Sequence, residues 1–400
     1  MKTVGLIAEY DPFHNGHKYH IEEAKRVSGA ERAVVVMSAS FVQRGEPACA
    51  DKFTRAKWAL EGGADMVIEL PDLFSVSCAE RFASGAVRIL SGTGIVDSIC
   101  FGSETGDTEA LKRIALSEPD ERLLSEKLSE GLPYPKALAE ASGIKLGPND
   151  ILGAEYIRAA SKYAPGMEVF SIQRMGSRYD DSELAEELSS ASAIRHALKN
   201  YYGETKMSPA VFDALSRALP RHVLNSISEL MRTGSFPASL GELSEAALYR
   251  IRASSSEELS KLPEVSEGVE NLFVRFASSA DDIEGMLAGV KSKRYTMARL
   301  KRIVCCSLLG ITKELQDEAA VNDEALYARV LGVKKEASFL LEMLNSARIP
   351  VIVRSSDREK LPPLAGRSEQ ISALAHRVRA LGQPYDKSVE QDASHRLIVR

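Results

Sequence analysis

The chain has 400 residues, 44% of them hydrophobic and 27% charged, enough apolar side chain for more than one core and too much for a disordered or collagen-like chain. Lys and Arg number 51 against 56 Asp and Glu, a formal charge of -5, which excludes a wholesale nucleic-acid-coating polycation and leaves room for a local basic patch. Five cysteines (Cys49, Cys78, Cys100, Cys305, Cys306), with an adjacent pair and no C-x-x-C, fit neither a disulfide framework nor a zinc knuckle; reduced thiols in a cytoplasm are expected, and no apolar run has the length of a signal segment or a membrane span.

Along the first two hundred residues, short β-branched runs alternate with helical patterns, as in β-α-β units around a parallel sheet. Strands are predicted at Val4–Ala8, Ala33–Met37, Met66–Leu70, Ser98–Phe101 and Met167–Ile172, and helices at His17–Val27, Thr54–Leu60, Cys78–Leu90 and Leu111–Leu128. Gly29, Gly62 and Gly92 fall where helix C-caps belong. The expected fold class is α/β: a doubly wound, Rossmann-like parallel sheet over residues 1–204. From about Thr205 the strands vanish and helical patterns follow one another from Pro209 to Ala347, giving a second, mainly helical domain over 205–400. Its end reads as a small α/β tail, with a strand at Ile349–Arg354 and a helix over Gln370–Leu381.

Three of the seven histidines, His14, His17 and His20, lie in the first twenty residues. They sit in the turn after the first predicted strand, and in an open α/β sheet that turn borders the ligand crevice. Asp11-Pro12 halts the strand, Gly16 lets backbone approach a ligand, and the helix start near His17 offers free N–H groups to an anion. His14 and His17 can both face the same phosphates and stabilise charge on a pentacoordinate phosphorus. Two other readings compete: the histidines merely cap the helix, or His14, His17, His20 and Asp11 bind zinc, although the spacing is not H-E-x-x-H and no cysteine joins them. No metal ligand is assigned.

The segment His14-Asn15-Gly16-His17 resembles the H-x-G-H signature with which a nucleotidyltransferase superfamily, class I aminoacyl-tRNA synthetases included, binds the phosphates of ATP. Ser190-Ala-Ser192-Ala-Ile-Arg195 resembles the same superfamily's I-S-S-x-x-[RK] motif, which holds the β- and γ-phosphates; alone it would read as an N-cap serine and a surface arginine. Further stretches are similar to the bacterial tRNA(Met) cytidine acetate ligases over roughly residues 1–303. They are Met37-Ser38 with Phe41-Val-Gln-Arg44-Gly-Glu-Pro-Ala48, Asp65–Pro71, Phe101-Gly-Ser-Glu104, Pro148–Gly153, Arg174-Met-Gly176 and Lys293-Arg-Tyr-Thr296.

The resemblance implies a ligase that uses ATP to form acetyl-adenylate and then acetylates N4 of the wobble cytidine of elongator tRNA(Met), releasing AMP and pyrophosphate. It implies ATP contacts from Ile7, Ala8, Glu9, Tyr10, Asp11, Pro12, Phe13, His14, Asn15, Gly16, His17, Lys18, Tyr19 and His20, and from Gly102, Asn149 and Arg174. His14, His17 and Arg195 are the catalytic candidates, with Mg²⁺ bridging the phosphates. Asn149 reads equally as a turn or N-cap residue before the helix at Ile151. Gln43, Arg44 and Glu46, in the turn after the second strand, are candidates to position acetate or tRNA. Asp11 stands where the family usually has Asn, Ala39-Ser40 where Gly-Asn is usual and Asp180 where His is usual; a carboxylate beside triphosphate repels it unless turned away or bound to metal.

Lys291–Ile303 carries six basic residues and no acid. As a helix it puts Met297, Leu300 and Val304 on an apolar stripe and Lys291, Tyr295, Arg299 and Arg302 on another. Lys291, Lys293, Arg294, Arg299 and Arg302 are the expected tRNA contacts, and Tyr295 is either a stacking platform for an unpaired base or a core anchor. Two alternatives stand beside this reading: a small-molecule adenylyltransferase of the pantetheine-phosphate or nicotinamide-mononucleotide type, for which the helical domain is superfluous, and a non-catalytic tRNA-binding protein, for which H-N-G-H is.

Overall fold

The computed structural model describes residues 1–116, 121–130, 137, 146–174, 190–199, 201–390 and 392–400. Its centre is one sheet in the order β10-β8-β5-β2-β1-β6-β7, with β9 also paired to β8. The strands are β1 (Thr3–Ala8), β2 (Arg32–Ser38), β5 (Met66–Leu70), β6 (Ser98–Ser103), β7 (Glu168–Gln173), β8 (Ala328–Val333), β9 (Val351–Ile352) and β10 (Ile398–Val399); β3 (Phe41–Val42) and β4 (Glu46–Pro47) form a separate hairpin. All five predicted strands are present, and β5-β2-β1-β6-β7 is parallel throughout. The order reverses at β1, so the crevice opens at the carboxyl ends of β1 and β6.

Strand alternation makes two cores. On β2, Val34 and Val36 join one buried cluster while Ala33, Val35 and Met37 join the other, as the two faces of a pleated strand require. Each cluster also takes in helices beyond residue 204: Val223, Ile227 and Met231 in one, Leu248, Phe273, Leu287 and Ile303 in the other. Both faces are therefore covered, which is why β2 and β5 read as continuous apolar runs.

Helices occupy the predicted places with shifted ends: Asn15–Ser28, Lys52–Glu61, Ala79–Thr93 and Pro363–Leu381. Gly29 caps its helix at φ 65° and Gly62 follows Glu61, but Gly92 lies inside helix Ala79–Thr93, and Gly94 at φ 71° is the C-cap. A Cβ on Gly92 would meet Ile349 at 2.8 Å, so that glycine serves close packing instead. The predicted helix Leu111–Leu128 is two helices, Thr108–Leu116 and Glu121–Ser129, with 117–120 outside the described residues.

The larger correction concerns the tail. The helical run ends at Val321, and Ala328–Val333 then enters the central sheet antiparallel to β5, with β9 and β10 pairing along its other edge. The tail is an extension of the main sheet and not an appendage. Gly332 weakens the apolar signature of β8, and the β5 residues it pairs with are 262 or more positions away, so local pattern carries no trace of the pairing. The fully buried Lys52 locks it there, its Nζ 2.6 Å from Glu69 of β5 and 2.7 Å from Asp392, while Arg329 of β8 pairs with both acids.

Candidate active site

A cavity of about 430 Å³ opens at the carboxyl ends of β1 and β6. Every residue from Ile7 to His20 lines it except Pro12, Phe13, Asn15 and Lys18, and so do Gly102, Asn149, Arg174, Ser190, Ser192 and Arg195. Two segments far apart in sequence, the first β-α turn and the start of helix Ala191–Lys199, thus meet in one place. Of the four exceptions, Phe13 is a core ring, Asn15 donates to the Arg217 carbonyl at 2.8 Å and Lys18 is exposed beside Glu22.

The histidine turn is both a helix cap and a site. His14 is the N-cap: its Nδ1 accepts from Gly16 N–H at 3.0 Å, and His17 Nδ1 faces the His14 N–H at 3.3 Å. With both Nδ1 atoms accepting, the proton of each neutral ring belongs on Nε2. Tyr10, at φ 48°, places its ring 4.8 Å from His17 and 4.9 Å from Phe13, while the His14 and His17 rings lie 3.8 Å apart, tilted by 31°. Burial, reinforced by Arg174 and Arg195, pushes His14 down to about 3; burial, then His14 and Arg174, drives His17 well below the usual range; burial and Arg174 bring His20 to about 4. The site therefore offers neutral N–H donors at pH 7.

Asp11 lines the cavity with a carboxylate that already has its partners. Its buried carboxylate accepts from Cys49 N–H at 2.6 Å, pairs with Arg44 and lies 3.9 Å from Arg195. Burial alone would raise this carboxyl, but Arg44, Arg195 and Arg55 outweigh it and hold it near 2. Arg195 donates to the Asp11 carbonyl at 2.5 Å and to Ser192 Oγ at 3.1 Å, and Ser190 Oγ accepts from Ala193 N–H. The serine is an N-cap, yet the arginine is a cavity wall and not a solvated surface residue.

Two of the recognised stretches prove to be one interlocked unit. Asp150, fully buried, accepts from Ser103 Oγ (2.5 Å) and from the N–H groups of Glu104 (3.0 Å) and Gly147 (3.1 Å). Glu104 in turn accepts from Asn149 Nδ2 at 2.6 Å and Asp150 N–H at 2.8 Å. Gly147 is the N-cap of helix Pro148–Tyr163, so Asn149 lies inside the first turn and is not the cap. Gly102 packs closely under Arg174: a Cβ there would sit 3.2 Å from Arg174 Cγ and push that side chain by a few tenths of an ångström. Met175, Gly176 and Asp180 lie outside the described residues.

Arg55 and Tyr156 carry no sequence signal of function. Arg55, fully buried, donates to the carbonyls of Glu9 (2.7 Å), Ser38 (3.0 Å), Ala50 (3.0 Å) and Ala39, tying the ends of β1 and β2 together. Its neighbours in sequence are ordinary helix residues, and only the tertiary fold brings four carbonyls to it. Tyr156 lines the cavity beside Phe101.

The expected tRNA segment divides. Helix Met297–Leu309 starts only at Met297, capped by Thr296, which leaves Lys291, Lys293 and Arg294 exposed ahead of it. Arg299 donates to the Glu264 carbonyl and Ser266, Tyr295 is buried with its hydroxyl on the Glu267 carbonyl, and Arg302 is buried against Glu264 at 2.6 Å and the Gln43 carbonyl at 3.1 Å. Tyr295 is thus a core anchor and not a stacking platform. Arg302 is committed to an internal pair, because Glu264 arrives from a loop that the helical pattern of this segment cannot anticipate.

The family model for HIGH nucleotidyl transferases matches residues 1–395. Proteins named tRNA(Met) cytidine acetate ligase from Acetivibrio thermocellus and Caldanaerobacter subterraneus are each 37% identical, covering 94% and 88% of this chain and 94% and 89% of their own. The chain belongs to the tRNA(Met) cytidine acetate ligase family. The family's fold is shared throughout: apo Thermotoga maritima TmcAL, 30% identical, superposes with a TM-score of 0.91 over 100% of both chains, and the same protein bound with alpha-thio ATP gives 0.88. Among the described residues no group of three or more His, Cys, Asp or Glu is arranged to hold a metal ion, and no helix is long and apolar enough to cross a membrane.

Proposed function

We propose that this protein is an ATP-dependent ligase that activates acetate as acetyl-adenylate and transfers the acetyl group to N4 of the wobble cytidine of elongator tRNA(Met), in the cytoplasm. The observation that carries the reading is the convergence of His14, His17, Arg174 and Arg195 on one cavity at the sheet's switch point, in a family named for this reaction. A carboxylate is a poor electrophile, and joining it to AMP supplies a leaving group. Acetate attacks the α-phosphorus in line with departing pyrophosphate, so donors must serve both the α-phosphate and the leaving group. The Nε2–H groups of His14 and His17 supply neutral donors, and the Arg174 and Arg195 guanidiniums supply charge.

The residues present do not form a Mg²⁺ site of their own. Of the two carboxylates on the cavity wall, Asp11 is filled by Cys49 N–H and Arg44, and Glu9 is held by Gln43 N–H and Arg44. No step is assigned to Mg²⁺. We further propose a division of labour at about residue 204: the first part activates acetate, and the helical part holds tRNA through Lys291, Lys293 and Arg294. The test supplies labelled acetate, ATP and tRNA(Met) and identifies the product nucleoside; N4-acetylcytidine is expected. Absence of label from the tRNA with transfer of AMP to a small nucleotide-like acceptor would establish the adenylyltransferase reading instead.

A further inference from the structure

Beyond the residues assigned to ATP, the cavity wall includes Gln43, Arg44, Phe82, Tyr156, Ala298 and Arg302. Ala298 and Arg302 belong to the helix that the exposed cations Lys291, Lys293 and Arg294 immediately precede in the chain, so the proposed RNA-holding segment leads directly into this part of the wall. A base delivered here must surrender a proton. The cytosine N4 amine is delocalised into its ring and becomes acidic only as it attacks, and a positioned proton acceptor is worth roughly a hundred- to ten-thousandfold in such a step.

Few groups in the cavity can accept it. His14 and His17 have Nδ1 on backbone N–H groups, and burial, reinforced by Arg174, holds His14 near 3 and His20 near 4. Asp11 is 2% exposed and filled. Glu9, the other carboxylate of the wall, has a side chain 25% exposed. Its Oε1 accepts from Gln43 N–H at 2.7 Å and its Oε2 from Arg44 Nη1 at 2.5 Å. A carboxylate has about four lone-pair sites, so it retains acceptor capacity, and carboxylates are the usual partners of cytosine N4–H. Tyr156 borders it: its hydroxyl makes no hydrogen bond to a described residue, and after burial the Glu9 charge is what raises the phenol.

We propose that Glu9 is the catalytic residue that accepts the N4 proton during acetyl transfer. The inference rests on the acetyl-adenylate reading. The N4 lone pair forms the bond to the acetyl carbonyl carbon, and the carbonyl π pair moves to its oxygen. When that pair returns, the bond from carbon to the phosphate oxygen breaks and its electrons leave with AMP, while the N4 proton passes to Glu9 and then to water. Nothing is oxidised or reduced. Arg44, with Nη1 2.5 Å from Oε2, and Gln43 N–H, 2.7 Å from Oε1, fix the direction in which the carboxylate points.

The test bypasses ATP: full-length protein, chemically prepared acetyl-adenylate and tRNA(Met) are mixed in single turnover, and N4-acetylcytidine is quantified. Glu9→Gln keeps the shape and the acceptor for Gln43 N–H, and transfer is expected to slow by about a hundredfold or more. Glu9→Ala is expected to recover transfer as formate is added, which a loss of folding would not allow. Near-wild-type transfer by the Gln variant overturns the proposal, as does an Ala variant that formate leaves inactive. Failure of the unaltered protein to acetylate tRNA from acetyl-adenylate would instead sink the acetyl-adenylate reading itself.

Discussion

His14, His17 and His20 show how burial sets chemistry one residue at a time. An unfolded histidine titrates near 6.5, and in the folded protein His14 is held at about 3 and His20 at about 4, with His17 also far below its ordinary value. Between those values the unfolded chain binds more protons than the folded one, so the stabilising contribution is complete above about pH 6.5 and is lost as the pH falls toward 4. His14 and His20 then each cost about 2 kcal/mol by pH 5. Asp72, which burial pushes up to about 7, works in the opposite direction and offsets part of this. Denaturant melts between pH 7 and pH 5 should show a net loss of stability, and replacing His20 by Asn should shrink it; a flat profile would contradict the neutral-donor account. That the histidines form a site was legible in the sequence, from H-N-G-H after a strand. Their protonation state was not, since it depends on Arg174 and Arg195 arriving from distant segments.

At the scale of elements, the β3-β4 hairpin joins the catalytic wall to the basic helix. Arg44 at its tip pairs with Glu9, Asp11 and Glu46, Glu46 pairs with Lys301, and Gly45 at φ 78° lies so close that a Cβ would sit 2.4 Å from the Arg302 backbone N. Arg302 and Glu264 are only 9% and 19% exposed, so Arg302→Ala leaves a largely buried acid unpaired and should cost about 3 kcal/mol in unfolding experiments. Charge reversal at Lys293 and Arg294 should instead leave stability nearly unchanged and weaken tRNA binding, with a log–log salt slope shallower by about 1.4 to 1.8. Equal effects of the two changes on binding and stability would refute the separation of a structural from an RNA-facing half of the segment. Composition marked the whole run as basic; only the packing of Glu264 and the hairpin divides it.

At the scale of the whole molecule, the C-terminal return to the sheet is the feature least visible in the sequence. Parallel strands β1, β2, β5, β6 and β7 announce themselves through β-branched runs between helices, whereas β8 depends on a partner hundreds of residues earlier and on Lys52 meeting Glu69 and Asp392 in the interior. Lys52→Ala removes a buried cation shared by Glu69 and Asp392, leaves Arg329 as the cation common to both acids, and should destabilise the entire chain by roughly 3 kcal/mol in a single transition, read by the cooperative unfolding of both halves together; separate melting of residues beyond 204 would contradict shared cores. The central claim, that this sheet edge activates acetate, is tested most directly by exchange of labelled pyrophosphate into ATP in the absence of tRNA. Exchange that requires acetate and disappears in His17→Ala is the predicted result. Exchange independent of acetate, or none until a nucleotide acceptor is added, would contradict it.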